Sequence, residues 1–230
     1  MFSDRLRSSL RRRCPRGLAR ALHLLENEFK LTRLHRSGRK RAYAYYGMTG
    51  LRLNIGCGPI HNDDYINIDL LENADLSLDM REEIPLPSGS CTAIYSEHFL
   101  EHLDDPDDAK RFLAECYRLL EPSGLISIAV PDTRWPLEEY AGLGNGEYFE
   151  RAGKTWHPSW CKTPLEHVNF HFRQYSEHRF AYDLETLTEA LVEAGFTNVS
   201  RRPFDPSLDS ENRRIGTLYV NGQKPVANAR

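Results

Sequence analysis

Residues 51–70 constrain this chain more than any other stretch. Leu51, Leu53 and Ile55 alternate with Arg52 and Asn54, the pattern of a strand with one buried face. The strand breaks at Gly56-Cys57-Gly58-Pro59. Two glycines at a strand's carboxyl end let the backbone lie close to a ligand, because no Cβ stands in the way. A second apolar run over 65–68 ends in Asp69. An acid just past a second strand can accept hydrogen bonds from the hydroxyls of a ribose. Glycine turn followed by acidic strand end is how a doubly wound α/β fold holds a nucleoside-containing cofactor. Taken alone, the same residues make a tight turn and a surface carboxylate equally well, and the remaining chain has to decide.

That remainder alternates strands with helices. Ala74 to Asp79 alternates and ends in an acid, and the apolar run over 91–95 leads into Ser96-Glu97-His98. Asp104-Asp105-Pro106 predicts a helix start, with Phe112, Leu113, Cys116 and Leu120 on one face. Residues 125–130 read as a strand buried on both faces, ending at Pro131-Asp132. Residues 133–180 have weak periodicity and read as an irregular insertion on the substrate side. Asp183 caps a helix closed by Gly195, and strands over 196–203 and 215–222 follow with only a polar link between them, which predicts an antiparallel pair. The expected fold is α/β: a mostly parallel seven-stranded sheet, helices on both faces, and an antiparallel last strand. Gly56, Gly58, Asp69, Asp79, Ser96, His98 and Asp132 all fall at carboxyl ends of strands, where such sheets bind ligands.

The 230 residues suit one globular domain that buries a core without disulfides, and no apolar run is long enough to span a membrane. The cysteines, Cys14, Cys57, Cys91, Cys116 and Cys161, are odd in number and scattered, as free thiols in a reducing compartment are. Cys57 reads as a small residue filling a tight turn rather than a nucleophile. Charge is uneven: residues 1–41 hold thirteen basic and three acidic side chains, +10, which leaves −13 for the rest of a chain of net −3. Helices are expected over 3–13 and 17–31, with Leu18, Ala21, Leu22, Leu25 and Phe29 on one face of the second. This arm fits a helical lid, a surface for anionic membrane or a partner enzyme, an arm for nucleic acid, or a mitochondrial presequence. The tyrosines Tyr43, Tyr45 and Tyr46 are expected to pack where the arm enters the core. Cytoplasmic placement is expected, at a membrane or in mitochondria if the arm acts in one of those ways. The acidic body argues against a nucleic-acid groove.

Together these motifs resemble a class I S-adenosylmethionine-dependent methyltransferase of the type 11 methyltransferase-domain family. The resemblance lies in Asn54-Ile55-Gly56-Cys57-Gly58-Pro59, Asn67-Ile68-Asp69, Asp79 before Ile84-Pro85-Leu86-Pro87, Glu97-His98-Phe99-Leu100-Glu101-His102, Leu120-Glu121-Pro122-Ser123-Gly124 and the stretch from Leu191 through Ala194-Gly195-Phe196. It implies a Rossmann-like domain over 49–224, with the arm (1–48) and a tail (225–230) outside it. It implies S-adenosylmethionine as cofactor, held by Asn54, Gly56, Cys57, Gly58, Asp69, Leu70, Asp79, Met80, Ser96, Glu97 and His98. Asp69 would meet the ribose and Asp79 the adenine.

Two departures stand out. An amide, Asn54, occupies a position that often carries an acid. Only residues 60–64 separate the glycine turn from the second strand, too few for the usual first helix, so the cofactor's carboxylate must be held differently. Candidate general bases are His98, His102, Asp132, His167, His171 and His178, of which His98, Asp132 and His178 are selected as catalytic. His98 with His102, and His167 with His171, are four apart and on a helix would share a face, as metal ligands do; packing for the first pair and pocket lining for the second are preferred, with no metal. The acceptor is expected to be a small molecule or saccharide. A methyltransferase-like scaffold working through its basic arm is the alternative. A nicotinamide oxidoreductase is disfavoured, because His61 stands where the third glycine of Gly-x-Gly-x-x-Gly belongs.

Overall fold

The computed structural model describes residues 16–104 and 106–226. The helix expected over 3–13, Cys14, Asp105 and the last four residues of the tail lie outside them. Among the described residues seven strands form one sheet: β1 (Leu51–Ile55), β2 (Ile66–Asp69), β3 (Leu76–Ser77), β4 (Cys91–Glu97), β5 (Leu120–Pro131), β6 (Thr197–Arg201) and β7 (Thr217–Gln223). Their order is β3-β2-β1-β4-β5-β7-β6. The first five are parallel and β7 runs antiparallel to both its neighbours, as the short link before it requires. The helices are α1 (Arg16–Ala42), α2 (Asp107–Leu119), α3 (Arg134–Tyr140), α4 (Glu147–Arg151), α5 (Pro164–Arg173) and α6 (Leu184–Glu193). None of the described helices is long and apolar enough to cross a membrane.

The alternation of side chains divides the sheet into two unlike faces. On one, Leu53, Ile55, Ile94, Ile126, Ile128, Leu218 and Val220 form a single core with Phe112 and Leu113 of α2 and Leu187 and Leu191 of α6. On the other, a polar row crosses six strands in register: Asn67, Asn54, Tyr95, Ser127, Asn221 and Ser200. Over the middle of this row packs the irregular link 202–213, through Arg202 Nε donating to Ser127 Oγ at 2.9 Å and the Tyr95 hydroxyl donating to Asp209 Oδ1 at 3.0 Å. A helix buries an apolar stripe and gains nothing against a row of amides and hydroxyls.

The arm departs from expectation in length. α1 runs unbroken for 27 residues. It crosses the sheet edge at Gly38, where a Cβ would lie 2.2 Å from the Ser77 carbonyl oxygen. Only glycine permits that approach. Beyond the crossing point Tyr45 packs against the core, whereas Tyr43 and Tyr46 are exposed. At its other end Leu18, Leu25 and Phe29, the expected apolar face, are exposed as well.

The insertion is more helical than its weak periodicity predicts. It holds α3, α4, a π-helical turn at Ala152–Trp156, and α5. α5 starts with a capping box: Glu166 N–H donates to Thr163 Oγ1, and Thr163 N–H donates back to the Glu166 carboxylate. That Thr-x-x-Glu signal was present in the sequence. α2, by contrast, starts without a side-chain cap; the Asp104 carbonyl accepts from the Asp108 and Ala109 N–H groups instead.

Candidate active site

The glycine turn is built as its residue types predict. Gly56 has φ +71° and Gly58 φ +53°, both in the left-handed region. The Gly56 N–H donates to the Ile68 carbonyl at 2.8 Å and the Gly58 N–H to Asp69 Oδ2 at 2.9 Å, which ties the turn to the end of β2. A Cβ at Gly58 would meet nothing within 4 Å, so this side of the turn is open. Cys57 is a buried thiol pushed up to about 12 by burial and the nearby Asp69 and Asp75 charges, which makes it a filler and not a nucleophile.

In place of a first helix, residues 59–65 form a loop held by two buried amides. Asn54 Nδ2 donates to Asn67 Oδ1 at 2.9 Å, and Asn67 Oδ1 also accepts from the Asn62 N–H. Asn67 Nδ2 donates to the carbonyls of Asn62 and Tyr65. The turn, this loop, Tyr95, Glu97 and residues 206–213 surround a cavity of about 330 Å³ at the carboxyl ends of β1 and β4. Glu97 is engaged from the β6–β7 link: its carboxylate accepts from the Ser210 N–H and hydroxyl, and from the Arg213 guanidinium at 3.3 Å. Ser210 and Arg213 are 113 and 116 residues away in sequence and were not expected here. Ser96, between Tyr95 and Glu97 in the strand, points to the opposite face with Ile55 and Ile128, and its Oγ is buried with no hydrogen-bond partner.

At the end of β3 the arm reaches the site. The Asp79 N–H donates to His35 Nδ1 at 3.1 Å, and Arg81 lies 2.6 Å from Asp79 and 3.2 Å from Glu28. Burial pushes the Asp79 carboxyl up, but its bonds from Arg81 outweigh this and hold it below its ordinary value. Met80 next to it is buried and Leu70 half-buried.

After β4 the chain turns sharply at His98, φ +52°. Leu100–His102 then form a 3-10 turn that buries Glu101 completely, with neither carboxylate oxygen hydrogen-bonded. Burial raises that carboxyl to about 8. His98 Nδ1 and His102 Nε2 lie 4.0 and 3.9 Å from Glu101 Oε1, and a ring nitrogen of His178 is within 4.8 Å of the same group. The remaining ring contacts fix tautomers. Thr217 Oγ1 spends its proton on the Arg213 carbonyl, so it accepts from His98 Nε2–H at 2.8 Å and leaves His98 Nδ1 bare. His102 Nδ1–H donates to the Glu177 carbonyl and His178 Nδ1–H to the His171 carbonyl, which leaves both Nε2 atoms bare. Desolvation, ahead of the Arg213 charge, holds His98 well below its ordinary value, and burial lowers His178. The structure thus brings His98 and His178 together around Glu101. Asp132, at the end of β5, is not among the groups around Glu101. Its N–H donates to the carbonyl of Gly216, next to Thr217, its carboxylate accepts from the Arg134 N–H and faces Arg201 at 3.7 Å, and burial raises that carboxyl.

Among the described residues two groups have donor atoms close enough to share a metal ion, Glu101 with His102 and His178, and His157 with Cys161 and His167.

A protein-family model described as a methyltransferase domain matches residues 50–201. The chain belongs to this family. It is a class I S-adenosylmethionine-dependent methyltransferase, and S-adenosylmethionine is its cofactor. The open glycine turn and the cavity at the strand ends fit that molecule. Solved structures similar to the chain include a SAM-dependent methyltransferase from Archaeoglobus fulgidus, 20% identical over 86% of this chain and 94% of that one, with a TM-score of 0.48. Another is a SAM-dependent methyltransferase, possible histamine N-methyltransferase, from Thermotoga maritima, 19% identical over 89% and 97%, with a TM-score of 0.43. No curated protein sequence matches the chain.

Proposed function

We propose that this enzyme methylates a small-molecule or saccharide acceptor bound between the end of β4 and the 133–180 insertion. The observation that carries the reading is the set of histidines around Glu101, each with a bare ring nitrogen. The insertion is fastened over that set by the Arg179 and Phe180 N–H groups, which donate to the Glu101 carbonyl at 2.7 and 3.3 Å. An acceptor hydroxyl or amine has to lose a proton as it takes the methyl group, and a neutral histidine at pH 7 accepts one. In this reading His178 Nε2 takes the proton and His98 is held in place by Thr217. Asp132 is the alternative acceptor of the proton.

The cofactor supplies an electrophilic methyl group on sulfur, and the protein supplies position. Gly56, Cys57 and Gly58 would let its amino-acid end pass close to the backbone, and Asp69 would receive the ribose hydroxyls. Asn54 would support the turn through Asn67. Leu70 and Met80 would flank the adenine beside Asp79. Arg213 would meet the cofactor's carboxylate and Glu97 its ammonium, the role the missing first helix leaves unfilled. Domain limits of 1–48 for the arm and 49–224 for the catalytic body go with this assignment. A second reading, in which the protein docks on an anionic membrane or partner enzyme through the arm, draws on the exposed Leu18, Leu25 and Phe29 among the basic residues of α1.

Calorimetric titration with S-adenosylhomocysteine should show saturable binding that Asp69→Ala and Arg213→Met each weaken at least tenfold. Methyl transfer from labelled cofactor to a panel of sugars and small metabolites should identify the acceptor. On it, His178→Gln should lower kcat at least a hundredfold with cofactor affinity unchanged. Transfer to nucleic acid or protein alone would overturn the acceptor class.

A further inference from the structure

We propose that His157, Cys161 and His167 form a binding site for one zinc-class divalent ion, separate from the methyl-transfer centre. The donor atoms of the three side chains all lie within 4.8 Å of one another. His157 Nδ1 and His167 Nδ1 face each other at 2.9 Å. The rings are stacked, with centroids 5.1 Å apart. Cys161 and His167 are 6% exposed each. His157 and Cys161 come from the loop after the π-helical turn, and His167 from the first turn of α5.

A shared proton accounts for the contact between the two rings, and a metal would use the sulfur as well. As neutral imidazoles, one Nδ1–H must donate to the other Nδ1, and the thiol contributes nothing to that pair. The bond recorded for Cys161 Sγ is to the Glu166 carbonyl at 3.8 Å, long for a group so buried. An ion in place of the single shared proton would use both nitrogen lone pairs and the sulfur at once. Tetrahedral zinc with Zn–N of about 2.0–2.1 Å sets its nitrogens roughly 3.3 Å apart, so the two rings need to separate by only about 0.4 Å. A thiolate with two imidazoles selects zinc, cobalt or copper over calcium or magnesium, which prefer oxygen.

The site also has a task. The backbone bonds within the loop are local, from the His157 N–H to the Ala152 carbonyl and the Cys161 N–H to the Pro158 carbonyl. An ion on His157, Cys161 and His167 would clip this loop to α5 and so hold one wall of the insertion. Its fourth position stays open for water, because the Glu166 carboxylate is spent on the α5 cap. On binding, Cys161 loses its thiol proton to solvent, the proton shared by the two Nδ1 atoms moves through solvent to Nε2 of the ring that carried it, and the sulfur and both Nδ1 atoms donate lone pairs to the ion, with no redox change.

The test uses the full chain stripped with a chelator and titrated with cobalt(II). One equivalent should bind with the visible absorption of a tetrahedral ion and a sulfur-to-cobalt charge-transfer band in the near ultraviolet, and zinc should displace it. Cys161→Ser should lose the charge-transfer band and bind at least tenfold more weakly. His157→Gln should weaken binding similarly with an unchanged far-ultraviolet circular dichroism spectrum, and Cys14→Ser should keep the band. S-adenosylhomocysteine affinity of Cys161→Ser should match the wild type, which separates this site from the cofactor's. A wild-type chain that shows no cobalt spectrum, or a band that survives in both Cys161→Ser and His157→Gln, would overturn the proposal.

Discussion

At Gly56 a Cβ would sit 2.5 Å from Phe99 while φ stays at +71°. Both a clash and a left-handed backbone oppose any side chain there. Gly56→Ala should therefore cost about 1–3 kcal/mol and abolish cofactor binding, read by denaturant unfolding and calorimetry. Gly58→Ala shares the strained φ but meets open space. It should cost about 1 kcal/mol and impair binding more than stability. The residue-level signals that sequence carried best were of this kind: a glycine turn, an acid at a strand end, a thiol too small and buried to react. Glu101 shows the limit. Its neighbours His98 and His102 are close in sequence, but its complete burial follows from His178 and the insertion folding over it. Glu101→Gln keeps the shape and removes the titration, so it should alter the pH dependence of turnover while leaving cofactor affinity within twofold.

At the scale of elements, α1 depends on its crossing with β3. Gly38→Ala would place a methyl 2.2 Å from the Ser77 carbonyl oxygen. The helix should lift from the sheet edge, break the His35 and Arg81 contacts to Asp79, and become a site of rapid proteolytic cleavage while the body stays intact. In α2, Phe112 is fully buried among strands and helices. Phe112→Ala should cost about 3–5 kcal/mol, measured by denaturant unfolding. Strands and the amphipathic helices α2 and α6 were legible because period and caps are local. The polar row Asn54, Tyr95, Ser127 and Asn221 was visible as alternate residues within each strand, yet its meaning, a face for an irregular link, needs the register between strands. The insertion hid its helices because its apolar side chains point at one another and at histidines, not at one broad core.

For the whole molecule, pH acts through groups of opposite sign. In the metal-free chain His157 is held near 4 by burial and then by His167, and His171 near 3 by burial and then by its histidine neighbours, against an ordinary 6.5. The unfolded chain takes up these protons first, so stability is complete above about 6.5 and is lost as pH falls toward about 3. Glu101 runs the other way. Its folded value near 8 against an ordinary 4.5 means the folded chain keeps a proton the unfolded chain has released, and stability declines as pH rises through that window. Thermal unfolding across pH should therefore peak near 6 to 7. Glu101→Gln should flatten the alkaline decline and His171→Asn the acid one. By itself the sequence determined the sheet, its antiparallel end, the glycine turn and the class of cofactor, because each is written in residues within reach of one another along the chain. Only the tertiary structure decided that Ser210 and Arg213 meet Glu97, that three histidines surround a buried Glu101, and that His157, Cys161 and His167 converge. Those meetings depend on where β7 inserts beside β5 and how the insertion folds back, and no local period or spacing encodes either.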